Sequence, residues 1–500
     1  MDRKWWTLIV VSVATFMLLL DITIVNVALP DIERSLDSSF SDLQWVIDAY
    51  ALTLAALLLT GGSLADIMGR RRIFVTGIAI FTVASLLCAL SGTPLMLNLA
   101  RGLQGIGGAF MFSTALALLA SAYGGRDRGT AFGVWGAVTG ASVAVGPLVG
   151  GVLTDGIGWE AIFLVNLPIG VATIVLTLAQ VEESHAPSGA RVDWAGLVTF
   201  SAGLFALIFG LIRGNPEGWG SPLIVGCLAA AVVLGVLFVL VERRSQHPML
   251  DLSLFAKPAF DGASVAAFVL SASMFSMFLY LTLYIQNILG YSPLESGLRF
   301  LPVTLLSFFV APISGKFAER LGIRWFLGAG LAFVGAGLLL MRGLEVGDDW
   351  TALLAGFLLA GGGIGLVNPA LATAAVGVVE PQRAGMASGI NSTFRQVGIA
   401  TGIAGLGAIF QHLVAKSFVA GAGHLPPGVR PGAVADFVSF GGARRVGDPA
   451  LARAAEQAFI DGLNDILLYA GLLAFAGALL AAVLTRPRDF VAHAAPAAAM

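Results

Sequence analysis

Charge is what this sequence has least of. Asp, Glu, Lys and Arg make up 12% of its 500 residues, about half the share of an ordinary soluble domain. A chain so poor in charge cannot cover itself with a solvated surface, and a net charge of −2 provides no basic face for nucleic acid. Cysteine is nearly absent. Cys88 and Cys227 both lie inside apolar stretches, which excludes a disulfide framework or a thiolate metal centre. The five histidines (His185, His247, His412, His424 and His493) sit in loops, at helix ends or in the tail, without metal-ligand spacing. No G-x-x-x-x-G-K-[ST] stretch occurs, so ATP is not the expected energy source. Neither an enzyme nor a cofactor is expected. A cleavable leader is not expected either, because the first apolar stretch is too long and lacks a small-x-small site.

Apolar length is abundant. Hydrophobic residues make up 57% of the chain and mean hydropathy is +0.88. Windows of about 20 apolar residues recur fourteen times, from 5–30 to 465–485, predicting an all-α polytopic membrane protein. Lys and Arg concentrate in alternate connections, as in Arg70-Arg71-Arg72 and at Arg243, Arg244, Lys316, Arg320 and Arg383. The positive-inside rule then places both termini in the cytoplasm. One connection on the outer side, 413–464, is long. It starts Gly/Pro-rich and continues from Asp448-Pro449 with a stripe of Leu451, Ala455, Phe459 and Leu463, which predicts a short amphipathic surface helix before the last span.

The chain also repeats itself. Gly62-Ser63-Leu64-Ala65-Asp66-Ile67-Met68-Gly69-Arg70-Arg71-Arg72 follows the second span, and Gly315-Lys316-Phe317-Ala318-Glu319-Arg320-Leu321-Gly322 follows the tenth. Acid and final glycine stand at matching offsets. This predicts two six-helix bundles, 1–180 and 259–486, with two inserted membrane helices and a linker at 181–258 and a tail at 487–500. Gly62 and Gly69 permit a tight turn. Asp66 can cap the next helix or pair with Arg70 or Arg71.

Polar side chains inside such spans need a reason. Asp21 lies within the first greasy helix, where an ionised carboxylate costs roughly 2.5–3.5 kcal/mol. Desolvation favours the neutral acid, which makes this side chain a candidate proton carrier; a structural hydrogen bond to a neighbouring helix is the alternative. Arg101, in Leu97-Asn98-Leu99-Ala100-Arg101-Gly102-Leu103-Gln104, is too deep to reach the interface and must find an acceptor inside. Asn26, Gln104, Asn368, Arg395 and Gln396 are further polar groups at span depth, candidates together with Asp48 for a substrate cavity. The fifth span carries Gly136, Gly140, Gly146-Pro147 and Gly150-Gly151, small residues four apart that let helices approach, with a proline that removes a backbone bond. Met274, Phe275, Phe278, Tyr280 and Tyr284 line the ninth span, where packing or lipid contact ranks ahead of substrate contact.

These residues and their order resemble the major facilitator superfamily, and within it the fourteen-helix drug:proton antiporters of the EmrB/QacA type. The resemblance runs over nearly the whole length. It implies that the Gly62–Arg72 loop, with Glu319 in its second copy, is a charge latch between halves, and that Arg101 serves proton movement by tuning Asp21. It also implies that Gly140, Gly146, Pro147, Gly150 and Gly151 form an antiporter motif. Relatives with an acid at Asp48 handle dicationic drugs, although Asp48 can equally be a wet interfacial residue beside Asp31, Glu33, Asp37 and Asp42. Two departures stand out. Glu160 follows Trp159 where the family usually has a base, and Glu319 replaces an Asp with Arg324 alone after Gly322.

The expected activity is proton-coupled export of amphipathic, cationic or aromatic drugs by a monomer in the cell membrane, with protons, lipid bilayer and small-molecule substrate as partners. A dedicated exporter of one metabolite, antibiotic or lipid is the alternative, and a non-transporting sensor a remote third.

Overall fold

The computed structural model describes residues 2–38, 40–184, 192–245, 248–380, 383–421, 438 and 448–490. Inside lipid every backbone N–H and C=O must be satisfied within the segment, so apolar runs of this length become helices. The first half contains α1 (Arg3–Leu36), α2 (Phe40–Met68), α3 (Arg70–Ala89), α4 (Pro94–Ala122), α5 (Gly125–Gly156), the short α6 (Ala161–Leu164) and α7 (Asn166–Gln180). Two helices follow, α8 (Trp194–Glu217) and α9 (Pro222–Arg244). The second half contains α10 (Pro258–Leu270), α11 (Ser276–Leu283), α12 (Pro293–Arg299), α13 (Leu301–Leu321), α14 (Ile323–Leu340), α15 (Leu354–Gly377), α16 (Ala384–Gly421) and α17 (Pro449–Leu484).

Local chemistry sets the starts. Thr93 accepts the Met96 amide ahead of Pro94, Ser221 accepts that of Ile224 ahead of Pro222, and Asp448 accepts those of Ala450 and Leu451 ahead of Pro449. Each is a side-chain cap followed by proline at the first helical position, where a missing N–H costs nothing. The repeated loop is repeated in the backbone as well. Gly69 and Gly322, the closing glycines of the two copies, take φ of +110° and +99°, values that a side chain would strain.

Among the described residues, thirteen helices are long and apolar enough to cross a membrane. α5, with 32 residues, packs between α1 and α13, one from each half. The inserted helix α8 lies against α2 and α16, so it runs along the seam between halves. Its partner α9 contacts chiefly α8 and exposes Val225, Val232, Val233 and Val236, a lipid-facing surface.

Two expectations change. First, the ninth span is interrupted by π-turns at Ser271–Phe275 and Tyr284–Ile288. Each adds a residue to a turn and re-aims the side chains beyond it. Met274, Tyr280 and Tyr284 point into the second half's core, while Phe275 and Phe278 line a cleft described below. Second, the stripe after Asp448 is not a separate surface helix, while the Gly/Pro-rich stretch 422–432 lies outside the described residues. α16 continues to Gly421, and the Leu451–Leu463 stripe forms the first turns of α17. The two project together, held by the edge-to-face pair Phe410–Phe459 with centroids 5.1 Å apart and by Ser417 donating to Asp461 at 2.6 Å. Phe459 is wholly buried, so its apolar contacts, absent from the stripe's polar side, fix the pair. Phe459→Ala should cost about 3 kcal/mol, read as a lower unfolding temperature and faster proteolysis of this projection.

Candidate functional site

Four helices converge on Asp21. α4 brings Arg101, whose Nη1 donates to Asp21 Oδ2, and Gln104, whose Nε2 donates to Asp21 Oδ1 at 2.8 Å. α7 brings Asn166, donating to the same oxygen at 3.2 Å, and α3 brings Ser85, whose hydroxyl accepts from Gln104 at 2.9 Å and Asn166 at 3.3 Å. The Asp21 side chain is 0% exposed and that of Arg101 is 2% exposed. Arg101 is further held by α2. Its Nε donates to the Val46 carbonyl at 3.0 Å, and its guanidinium lies 4.3 Å from the centre of the Tyr50 ring. Every polar atom named here has a partner, as a buried network requires.

This placement fixes the surroundings of Asp21 and corrects the expectation for Gln104. Asp21 does not face a cavity; it is enclosed inside the first half. Gln104 is not a cavity-lining group, because its amide is spent on Asp21, Ser85 and Arg101. Asn166 was not among the expected residues. A lone Asn in an apolar span is the only local sign of it. The glycine motif packs directly beyond this knot. A Cβ on Gly146 would sit 1.8 Å from Thr23 Oγ1, and one on Gly150 would sit 3.0 Å from Ile24 Cγ1, so these glycines seat α5 on α1 two residues past Asp21. Gly151 faces Leu294 loosely, and Gly140 faces Ser307 of the other half. The side chains of Asn26, Pro147 and Glu319 lie outside those described.

Asp66 joins the halves, and its partner there is backbone. It pairs with Arg70 on the next helix at 2.8 Å and accepts the amides of Gly385 and Met386 at 3.0 and 2.9 Å. Those amides are the unsatisfied donors at the start of α16, where the helix dipole favours an anion. Arg71 takes no part in this. It and Arg72 turn to Glu183, which accepts their backbone amides at 2.9 and 3.2 Å and thereby caps α3. Gly62 lies against Gly385, and Gly315 against Gly129, in two backbone-to-backbone crossings at this arginine-rich end. Asp66→Asn replaces one acceptor oxygen with a donor facing donors. It should weaken the closure by about 2 kcal/mol, roughly thirtyfold. A cysteine placed at buried Ser388, in a protein freed of Cys88 and Cys227, should then react correspondingly faster with a water-soluble maleimide.

Outside the membrane spans, Asp251 accepts from the Ser253 amide at 3.0 Å and pairs with Arg383, the residue before α16. Partial burial alone would raise its carboxyl; the Ser253 bonds and the guanidinium outweigh that and hold it below the usual carboxylate range. Because the folded value is depressed, this contribution is intact above the unfolded value and fades only as pH falls through the folded one. It therefore adds no pH dependence near neutrality.

Asp48 is occupied. Its carboxylate lies 3.9 Å from Arg213 of α8, which also donates to Gln44 at 3.1 Å and to Glu217 at 2.6 Å. The acid thus sits at the α2–α8 seam facing a cation of the same chain. In the second half, Arg395 donates to Asn368 Oδ1 at 2.8 Å, while Gln396 is half-buried on the adjoining face. Gly140, Phe275, Phe278, Ser307 and Ile364 line a small, mostly apolar cleft between the halves. Among the described residues, no three His, Cys, Asp or Glu side chains come together to hold a metal ion.

Two related helical halves meeting at glycine crossings, with polar groups at mid-span depth, define a two-repeat membrane transporter. The chain belongs to the Major Facilitator Superfamily, whose profile matches residues 11–403. It is 38% identical over 404 residues to the multidrug resistance protein Stp of Mycobacterium tuberculosis (81% of this chain, 75% of that protein). It is 36% identical over 417 residues to the tetracenomycin C resistance and export protein of Streptomyces glaucescens (83% and 78%). To the puromycin resistance protein pur8 of Streptomyces alboniger it is 38% identical over 413 residues (81% and 82%). Among solved structures it is similar to the human organic anion transporter MFSD10 (TETRAN), with a TM-score of 0.62, 15% identity and coverage of 95% of this chain and 100% of the other; that likeness concerns the fold alone.

Proposed function

We propose that this protein is a secondary exporter, not an enzyme, that expels amphipathic drugs across the cell membrane in exchange for protons. It acts as a monomer with both termini in the cytoplasm. Its relatives, a multidrug resistance protein and a tetracenomycin C resistance and export protein, supply the direction and the cargo class. The observation that carries proton coupling is the Asp21–Arg101 knot.

Magnitudes set how the knot must work. Neutralising Asp21 in place strands the Arg101 guanidinium on the Val46 carbonyl and the Gln104 amide oxygen. Stranding a buried charge costs about 3–5 kcal/mol, whereas a gradient of 100 mV supplies about 2.3 kcal/mol per proton. A proton therefore enters only as Arg101 leaves for another acceptor or water, so protonation and helix movement are one event. Two rigid elements lead away from it. α2 holds Val46 and Tyr50 at one end and Gly62 and Asp66 about 18–30 Å further on. α5 is seated on α1 beside Asp21 and meets α13 at Gly129. With the arginine-rich end cytoplasmic, both lead to the cytoplasmic closure.

The test uses proteoliposomes loaded with acid and a trapped pH dye. Aromatic amphipathic drugs added outside should accelerate proton release. A chemically mixed panel that produces neither release nor counterflow would sink the reading. The single-compound names of some relatives favour a narrower exporter; competition across the same panel separates the two, because a dedicated exporter responds to one member.

A further inference from the structure

Three buried arginines here come with carboxylates. Arg101 faces Asp21, Arg70 faces Asp66, and Arg213 faces Asp48 and Glu217. Arg395 differs from these. It is 7% exposed, and among the described residues no carboxylate pairs with it. Its Nη2 reaches Asn368 Oδ1, and its Nε is buried without a partner. The donors around it are orphaned too. Asn368 Nδ2 and, one turn back on the same face of α16, Asn391 Nδ2 are buried and unpartnered. A buried guanidinium among unsatisfied N–H groups is expensive. What the cluster needs is an acceptor with negative charge.

The surroundings say what kind. Arg395 stands eleven residues into α16, about 16 Å from its start and so near the middle of a roughly 30 Å hydrocarbon core. Asn368 abuts Gly136 of α5 across the interface between halves. One turn further along each of these helices, Ile364 and Gly140 line the apolar cleft with Phe275, Phe278 and Ser307. Ser307 Oγ is also buried without a partner. A cation with spare donors thus adjoins, about 5–6 Å along the helices, a narrow aromatic-walled slot that must widen to admit a ring.

We infer that Arg395 is the anion-accepting centre of the substrate site, and that the preferred cargo is an aromatic acid whose oxyanion docks on the Arg395, Asn368 and Asn391 donors while its ring enters the Phe275–Phe278 cleft. This deepens the export reading above and rests on it for the word cargo. It moves the substrate charge to the opposite sign from the one an open Asp48 would select. Bidentate geometry suits a guanidinium to a carboxylate better than an ammonium.

The probes are anthraquinone-2-carboxylate and its methyl ester, the same ring with and without the charge. Binding is measured by calorimetry on the purified protein in nanodiscs without any gradient. The wild type should bind the acid at least tenfold more tightly than the ester. Arg395→Gln should lose at least tenfold for the acid and change the ester less than twofold, Arg395→Lys should recover part of the loss, and Phe278→Ala should weaken both probes alike. Acid bound no more tightly than ester by the wild type, including no binding of either, overturns the inference without recourse to any variant. So does an equal loss for both probes in Arg395→Gln. The export reading fails separately: selective acid binding with no proton release from proteoliposomes leaves the anion site standing, whereas proton release on adding neutral drugs with no preference for the acid leaves export standing alone.

Discussion

Asp21→Asn should uncouple the transporter. In proteoliposomes, uphill substrate movement driven by a proton gradient falls at least a hundredfold, while substrate-for-substrate counterflow without a gradient persists. The amide keeps the shape of the side chain but, like protonation, strands the Arg101 guanidinium at a cost of about 3–5 kcal/mol, so the variant mimics the protonated state. What disappears is the exchangeable proton. Unchanged gradient-driven transport by Asp21→Asn would remove this carboxyl from the mechanism. The accompanying stability pattern separates coupling from packing. Arg101→Gln strands the Asp21 carboxylate, wholly buried, and should cost about 3–5 kcal/mol. Asp21→Asn with Arg101→Gln removes both charges and should restore most of the unfolding temperature, yet not the proton coupling. A double variant that recovered coupling along with stability would make the pair structural.

Much of this was legible in the chain because the bilayer imposes simple rules. The spans follow from apolar length, α5 among them. Asp21 and Arg101 stood out as charges where charge is costly, and the repeated loop announced its own symmetry down to the positive φ of Gly69 and Gly322. The partners were not legible. Asn166 reaches Asp21 across 145 residues and Glu183 caps α3 across 112; no local pattern records either bond. Asp48 read as an open acid because Arg213 looked like an ordinary residue near the end of an inserted helix. The latch read as charge against charge, but Asp66 meets the bare amides of a helix start, which carry no side-chain signature. The unpaired state of Arg395 is likewise a property of its surroundings and could be seen only once they were in place.

The second large effect is expected at the glycine crossings. A Cβ on Gly62 would lie 2.2 Å from the Gly385 carbonyl oxygen, and a Cβ on Gly129 or Gly315 would lie 2.1 Å from the other's. Backbone oxygens cannot rotate away, so a side chain at these positions forces the helices apart. Separation also withdraws the Gly385 and Met386 amides from Asp66, stranding an anion and the start of a helix together. Gly62→Val and Gly315→Val should therefore empty the closed state, with transport lost by at least a hundredfold and little change in the folding of either half. Spin labels at exposed Met68 and Leu321, the arginine-rich ends of α2 and α13, report the distance; in the wild type one short population is expected, and in each variant a longer one. Gly226→Val on α9, where nothing stands within 4 Å, is the control and should change neither transport nor distance. If the Gly62 and Gly315 variants kept the short distance while losing transport, the crossings would be packing sites and not the closure. The two seams are related by the internal repeat, so opening one should loosen the other, and the double variant should add little to either single one.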